Sequence, residues 1–298
     1  MNGHAMRVLV LGGGGMLGHK LSQTLSRSFD VWSTVRRASG EYNRFGIFAP
    51  GRLIEGVDAL RMDSVKSAIA AVRPAVVINC IGIIKQLPAA NDPVASIEIN
   101  ALFPQQLSIA CGDANAWLIH VSTDCVFSGR RGHYAESDVA DAEDLYGRTK
   151  LVGEPTGPGT LVLRTSTIGR ELSTSAGLAE WFIAHRGGRV KGFRRAKFSG
   201  LTTIALAEVI RDLILLPTRL TGLYHVGTAD IDKYDLLCRL NDALGLGIHI
   251  DMDESFAVDR SLDSTRFWSA TSLPRPDWAG MIATLAADTT PYDSWRNT

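Results

Sequence analysis

The chain has 298 residues, 45% of them hydrophobic, with 31 Lys plus Arg balancing 31 Asp plus Glu. That length and apolar content allow one large domain or two modest ones around a sizeable core. The even charge gives no overall field for a nucleic acid backbone or an anionic membrane surface, and no apolar run approaches the ~18 residues of a membrane span.

Residues 1 to 5, MNGHA, precede the first strand and are assigned no structural role. The following MRVLVLGGGGMLG is too short and too glycine-rich for a signal peptide. RVLVLG reads as a buried strand, and MLGHKLSQTLSRS as a helix with Leu17, Leu21 and Leu25 on one face. DVWSTVRR is a second strand, SVKSAIAAVRP a helix stopped by proline, and AVVINCIG a fully apolar strand. ALFPQQLSIACGDA is helical and AWLIHVSTD a strand again. Such alternation predicts crossover units and a parallel sheet covered on both faces. The fold class is therefore α/β, a Rossmann-type doubly wound parallel sheet. Beyond residue 170 the pattern loosens, although LVLRTS and GLYHVG still read as strands, and TTIALAEVIRDLILL and DKYDLLCRLNDALG as helices. Residues 1–170 are assigned to the dinucleotide-binding domain, to which about 201–228 return, and 171–200 with 229–298 to a smaller C-terminal substrate-binding lobe over the strand ends.

Cys80, Cys111, Cys125 and Cys238 are widely spaced among apolar or small residues, so they are expected to be reduced core residues of a cytoplasmic protein. No group of His, Cys and carboxylates has metal-ligand spacing.

The first crossover carries Gly12, Gly15 and Gly18 in a GxxGxxG pattern, with Met16 and Leu17 between the last two. Between a strand and a helix, these glycines permit a tight turn, the approach of a pyrophosphate to the helix N-terminus, and close helix-to-strand packing. A bare strand-to-helix turn is the competing reading. An NAD site would place a carboxylate at the end of the second strand; this chain has Thr34, Val35, Arg36 and Arg37 there. Two guanidinium groups suit a 2′-phosphate, which predicts NADP(H), with NAD(H) as the alternative if the arginines are only a solvated pair.

Farther on, LYGRTKLVGE places Tyr146 and Lys150 one helical turn apart, while AWLIHVSTD delivers Ser122 and Thr123 at a strand's carboxyl end. An ammonium beside a phenol favours phenolate and lowers its pKa, and the Thr123 hydroxyl can hold a carbonyl oxygen in line. Together the glycine pattern, VSTDCVFSG, YAESD and YGRTKLVGE resemble the extended short-chain dehydrogenase/reductase superfamily, and within it the dTDP-4-dehydrorhamnose reductase family. The likeness continues through LVLRTSTIGRE and GLYHVG to LDSTRF, nearly the full chain.

The resemblance implies NADPH-dependent reduction of the C4 keto group of a nucleotide-linked 4-keto-6-deoxyhexose, as in deoxysugar and cell-surface polysaccharide synthesis. Thr123, Tyr146 and Lys150 would be the catalytic triad, with Lys150 also holding the nicotinamide ribose. Asp63, followed by Ser64, would lie by the adenine, unless it is a simple helix cap. Asn79, Cys80, Ile81 and Gly82 would line the cofactor, and Arg164 to Ser166 would border the nicotinamide. Dehydratases of the superfamily carry Thr-Asp-Glu, whereas Thr123-Asp124 is followed here by Cys125, which leaves elimination without its base. Asp124 receives no role beyond the turn, and His120 is read as structural. A sugar-nucleotide epimerase, which would keep a tightly bound NAD, remains one alternative. A non-catalytic NADP-binding regulatory subunit is another. The partner is thus a nucleotide sugar, and a homodimer is left open.

For that substrate, HRGGRVKGFRRAKF gathers Arg186, Arg189, Lys191, Arg194, Arg195 and Lys197 without an acid, a basic segment suited to a diphosphate or simply a solvated face. Trp181 or Phe193 could stack on a base if not in the core. Lys85 and Gln86 follow the cofactor strand and are placed toward the sugar.

Overall fold

The computed structural model describes residues 5–86 and 88–296, so all of MNGHA except Ala5 lies outside it. The chain runs β1 (Arg7–Leu11), α1 (Met16–Leu25), β2 (Asp30–Thr34), α2 (Gly40–Asn43), β3 (Leu53–Ile54), α3 (Met62–Val72) and β4 (Val76–Asn79). It continues through α4 (Pro93–Ser96), a π-helical turn (Ile97–Leu102), α5 (Phe103–Asp113), β5 (Trp117–Thr123), α6 (Leu145–Val152) and β6 (Thr160–Thr165). Then come β7 (Thr167–Ile168), α7 (Leu178–Ile183), β8 (Arg189–Phe198), β9 (Leu201–Thr202), α8 (Thr203–Leu215) and β10 (Gly222–His225). The last elements are β11 (Ile231–Asp232), α9 (Lys233–Leu244), β12 (His249–Asp259), α10 (Thr265–Thr271), α11 (Trp278–Ala286) and α12 (Tyr292–Arg296).

Seven strands form one sheet in the order β10-β6-β5-β4-β1-β2-β3, and every neighbouring pair is parallel. The order reverses between β1 and β4, the crevice where open α/β sheets bind ligands at their carboxyl ends. Alternation along each strand feeds two cores: Val8, Val10, Val76, Ile78 and Ile119 pack on one face with α1 and α8, while Leu9, Leu11, Val77 and Leu118 pack on the other with α3 and α5. The doubly wound fold expected from the strand and helix periodicities is the one observed.

The helical run containing ALFPQQLSIACGDA begins earlier than expected, at Pro93, and widens into a π turn before α5. Pro104 is the physical cause, because it has no N–H to give to Asn100 O and its ring would crowd that carbonyl. Phe103 N–H bonds Glu98 O instead. The freed Asn100 turns inward, where its amide accepts from Ile83 N at 2.9 Å and donates to Ile83 O at 3.1 Å.

In the lobe, β8 is flanked by β11 and β12 in a three-stranded sheet, and α9 packs on it. The assigned segment 229–298 is not confined there. Tyr292 enters a small cluster with Phe45 and Leu172, and its hydroxyl meets His19 Nε2 of α1 at 2.7 Å. His19 donates through Nδ1 to Gly15 O at 2.9 Å, and burial lowers its pKa to about 4. The C-terminal helix thereby ties the imidazole, held neutral, to the start of α1.

Candidate active site

Gly12 has a φ of +81°, a left-handed conformation that turns the chain from β1 toward α1. A methyl group on Gly18 would collide with the Gly12 carbonyl, so the first turn of α1 can close on the loop only with hydrogen at that position. Gly15 caps α1 without a side-chain hydrogen bond, leaving the first-turn N–H groups facing outward for an anion. Gly15, Met16 and Leu17 line a cavity of about 640 Å³. Cys80, Ile81 and Gly82 line it from the end of β4, and Thr165 and Ser166 from the end of β6. These residues fit a dinucleotide, since a helix N-terminus and glycine backbone open onto one cavity of that size.

Thr123, Tyr146 and Lys150 converge on the same cavity. Two glycines in YGRTKLVGE explain how α6 reaches it. A Cβ on Gly147 would strike Cys125 O, and one on Gly153 would strike Asn100 O. Helix α6 therefore lies backbone to backbone against the turn after β5 at one end and the π turn at the other. Asp144 caps α6 by accepting from Gly147 N at 2.8 Å. This docking brings the Tyr146 phenol within hydrogen-bonding reach of the Thr123 hydroxyl, which also accepts from Cys125 N at 3.1 Å.

Lys150 donates to Val121 O at 3.0 Å, and burial lowers its pKa to about 8, opposed by Glu154 and by Cys80. The phenol of Tyr146 is raised rather than lowered: burial pushes it up, Cys125, Asp124 and Asp144 add to this, and Thr123 opposes them. The sequence-based expectation that Lys150 tunes it downward is not met, because burial dominates and the ammonium, bonded to the strand carbonyl of Val121, is not among the groups acting on the phenol. Tyr146 is consequently a phenol, able to donate, at neutral pH. Asp124, left in the turn by the sequence reading, also lines the cavity; its pKa is raised by burial and pulled back by Arg260.

Several other candidates stand elsewhere. Arg164 is buried and grips Glu154 through Nε–Oε1 at 2.8 Å and Nη2–Oε2 at 2.7 Å, so its charge points away from the cavity that Thr165 and Ser166 border. Ser122 touches the cavity, but its hydroxyl donates to Glu154 Oε1 at 2.6 Å. Asn79 holds the loop after β4 through Ile81 N and meets the buried His120 ring at 3.0 Å. Arg36 is exposed, and Arg37 pairs with Glu41 at 3.3 Å outside the cavity lining. Asp63 is exposed in the first turn of α3, and Ser64 closes a local turn onto Arg61 O.

The basic segment resolves into a ladder of ion pairs across the lobe. Arg189 bridges Asp251 at 2.6 Å, Lys191 bridges Asp253 at 2.9 Å, and Arg194 bridges Asp232 at 3.2 Å as well as Asp235. Neither these residues, the exposed Arg195, nor Arg186, which donates to Gly245 O at 3.0 Å, line the cavity. Their acids come from β11, α9 and β12, which segment composition could not reveal. Lys197 does line it, 3.6 Å from Asp230. So does Lys233, which sequence reading missed. Its ammonium lies 5.0 Å from the Trp181 ring centre and 5.4 Å from that of Phe193, burial lowers its pKa, and it forms no ion pair among the described residues. The two aromatics thus support a cation instead of lining the cavity themselves. Lys85 and Gln86 line the rim, where Lys85 bridges Asp144 at 2.6 Å. Of the four free cysteines, expected in the core, Cys80 and Cys125 line the cavity. Among the described residues no cluster could hold a metal ion, and no helix is long and apolar enough to cross a membrane.

A parallel crossover sheet with a glycine turn at its first crossover, and Thr, Tyr and Lys at its carboxyl edge, defines an extended short-chain dehydrogenase/reductase. More narrowly, the chain belongs to the RmlD substrate binding domain family, which it matches over residues 6–246. It is 32% identical over 149 residues to a dTDP-4-dehydrorhamnose reductase of Streptomyces griseus, an alignment spanning 50% of this chain and 43% of that one. It is 26% identical over 265 residues to methionine adenosyltransferase 2 subunit beta of Mus musculus, spanning 80% of this chain and 72% of that one. In fold it resembles a dTDP-4-dehydrorhamnose reductase from Bacillus anthracis solved in complex with NADP, with a TM-score of 0.79 at 20% identity over 96% of this chain and 100% of that one.

Proposed function

We propose that this chain is an NADPH-dependent oxidoreductase that reduces the C4 keto group of a nucleotide-linked 4-keto-6-deoxyhexose. The observation that carries the reading is the meeting of Thr123, Tyr146 and Lys150 in the cavity opened by the glycine loop. Gly15, Met16 and Leu17 would hold the dinucleotide at the α1 N-terminus, and Cys80 to Gly82 would flank it. When bound, the dinucleotide supplies the hydride. Thr123 holds the substrate carbonyl oxygen, and Tyr146, protonated at neutral pH, gives that oxygen its proton as charge develops. Lys150, on the same cavity, bonds the ribose. Lys233, whose ammonium has no carboxylate partner among the described residues and so is available to an anion, meets the substrate diphosphate together with Lys197. Arg36 and Arg37 are assigned to the 2′-phosphate from the missing acid at the end of β2, and replacing both by Ala should erode the preference for NADPH over NADH.

The decisive experiment follows oxidation of NADPH deuterated at the transferred hydride with a panel of 4-keto-6-deoxy sugar nucleotides and identifies the products by mass spectrometry. Turnover that places deuterium at C4 supports the reading. Its absence across the panel, with tight NADP binding retained, favours the second reading, a non-catalytic NADP-binding subunit, which draws on the similarity to methionine adenosyltransferase 2 subunit beta over most of the chain.

A further inference from the structure

The end of β5 meets α6 and the residue just beyond its cap at three consecutive positions. Val121 O accepts from Lys150, the Ser122 hydroxyl donates to Glu154 Oε1, and the Thr123 hydroxyl faces the phenol of Tyr146. Glu154 follows Gly153 at the end of the helix and lies over the neighbouring strands β5 and β6, where Ser122 and Arg164 are register partners. Arg164 holds both carboxylate oxygens, backs onto the Phe127 ring at 5.2 Å, and places Nη1 3.4 Å from His225 Nε2, whose Nδ1 donates to Tyr134 O. Side-chain exposures of 9% for Glu154 and 5% for Arg164 make this a buried ion pair.

A buried ion pair adds little net stability, because desolvation offsets attraction. This one, however, holds a carboxylate one helical turn beyond a buried ammonium. The groups facing Lys150 come from three other elements. Cys80, after β4, has a thiol pushed up to about 12 by burial, and His120 of β5 is held well below its usual pKa by burial. Asn100 of the π turn is neutral. Between pH 7 and 10 the charge opposing desolvation of Lys150 is therefore Glu154.

We propose that Glu154, gripped by Arg164 and Ser122, is a positioning residue for the Tyr146 and Lys150 pair, seating α6 on β5 and keeping Lys150 cationic where a dinucleotide ribose would lie. This rests on reading the cavity as an NADP(H) site. The test is NADPH binding to the full chain, followed by fluorescence between pH 7 and 10, with folding checked by circular dichroism. A lysine with a lowered pKa is cationic below that value, so wild-type affinity should fall as the pH rises through about 8. In Glu154→Gln the fall should begin about one pH unit lower. Where Glu154→Gln strands Arg164 and fails to fold, the charge-neutral Glu154→Gln/Arg164→Gln pair takes its place with the same expected shift. A folded variant with an unmoved midpoint overturns the proposal, as does failure of both variants to fold, which would make the cluster purely structural. Wild-type protein that binds no NADPH at any pH would strike the cofactor reading itself and this proposal with it.

Discussion

Replacing Tyr146 by Phe isolates the proton donor. The ring stays half-buried between Thr123 and α6, and the change removes one hydroxyl from hydrogen-bonding reach of Thr123. Losing that contact should cost about 0.5–1.5 kcal/mol of stability, little enough that the protein remains folded at room temperature. Turnover is a different matter. Positioned acid catalysis is worth ~10² to 10⁴ in rate, or about 2.7 to 5.4 kcal/mol of barrier. Since the proton moves only in the transition state, the loss should fall on kcat, with KM and NADPH affinity close to wild type. Single-turnover reduction of an authentic keto-sugar nucleotide, followed at the nicotinamide absorbance, separates chemistry from product release. If the variant keeps more than about a tenth of the wild-type single-turnover rate, another group supplies the proton and Tyr146 is only packed beside Thr123.

Gly147→Ala should push α6 off the Cys125 carbonyl and the Ala142 methyl, at about 1–3 kcal/mol of stability, and lower kcat without touching any reacting group; unchanged kcat in a destabilised variant would mean that the helix can shift without moving Tyr146. Lys233→Met should raise KM for the nucleotide sugar about 10- to 100-fold while NADPH affinity, measured by fluorescence titration, stays put; a KM within twofold of wild type removes Lys233 from the substrate site. Tyr292→Phe should leave buried His19 Nε2 without its donor and cost about 1–3 kcal/mol in urea unfolding; a loss below about 0.5 kcal/mol would mean that the imidazole finds another partner.

What was legible in the sequence followed from periodicity and from residues whose partners lie close along the chain. Strands buried on both faces, such as VVIN, read directly as the centre of a parallel sheet, and the glycine pattern needed only the strand before it and the helix after it. Tyr146 and Lys150 share one helix, so their proximity was a matter of spacing. The error lay in what Lys150 does to the phenol, because that depends on burial and on a hydrogen bond to Val121, a strand away. The same limit hid the π turn. Pro104 was visible, but the use made of the freed Asn100 carbonyl required Gly153, far along the chain, to pack against it. Ser122 was read at the carboxyl end of its strand and Arg164 beside the nicotinamide; their polar groups serve Glu154, whose position relative to β5 and β6 no local pattern encodes.

Charge shows the difference most clearly. A run of cations without an intervening acid suited a diphosphate or a solvated face, yet a neighbouring β-strand can cancel such charges, and β12 supplies Asp251 and Asp253, each two residues beyond the register partners of Arg189 and Lys191 and paired with them on the diagonal. An exposed, paired cation is worth little to an anion, since binding must first break the pair or compete with it. Lys233 lies between acids in the segment IDKYD, and nothing in that local pattern singles it out. Folding sets the two apart: Asp232 caps α9 at Asp235 N, while Arg194 takes the carboxylates of Asp232 and Asp235, leaving Lys233 between two aromatic rings with its ammonium toward the cavity. The paired arginine frees the lysine. On this argument Arg194→Gln should release Asp232 and Asp235 toward Lys233 and raise KM for the nucleotide sugar even though Arg194 touches no cavity wall, whereas an unchanged KM in a folded Arg194→Gln variant would show that the lysine's availability does not depend on the ladder.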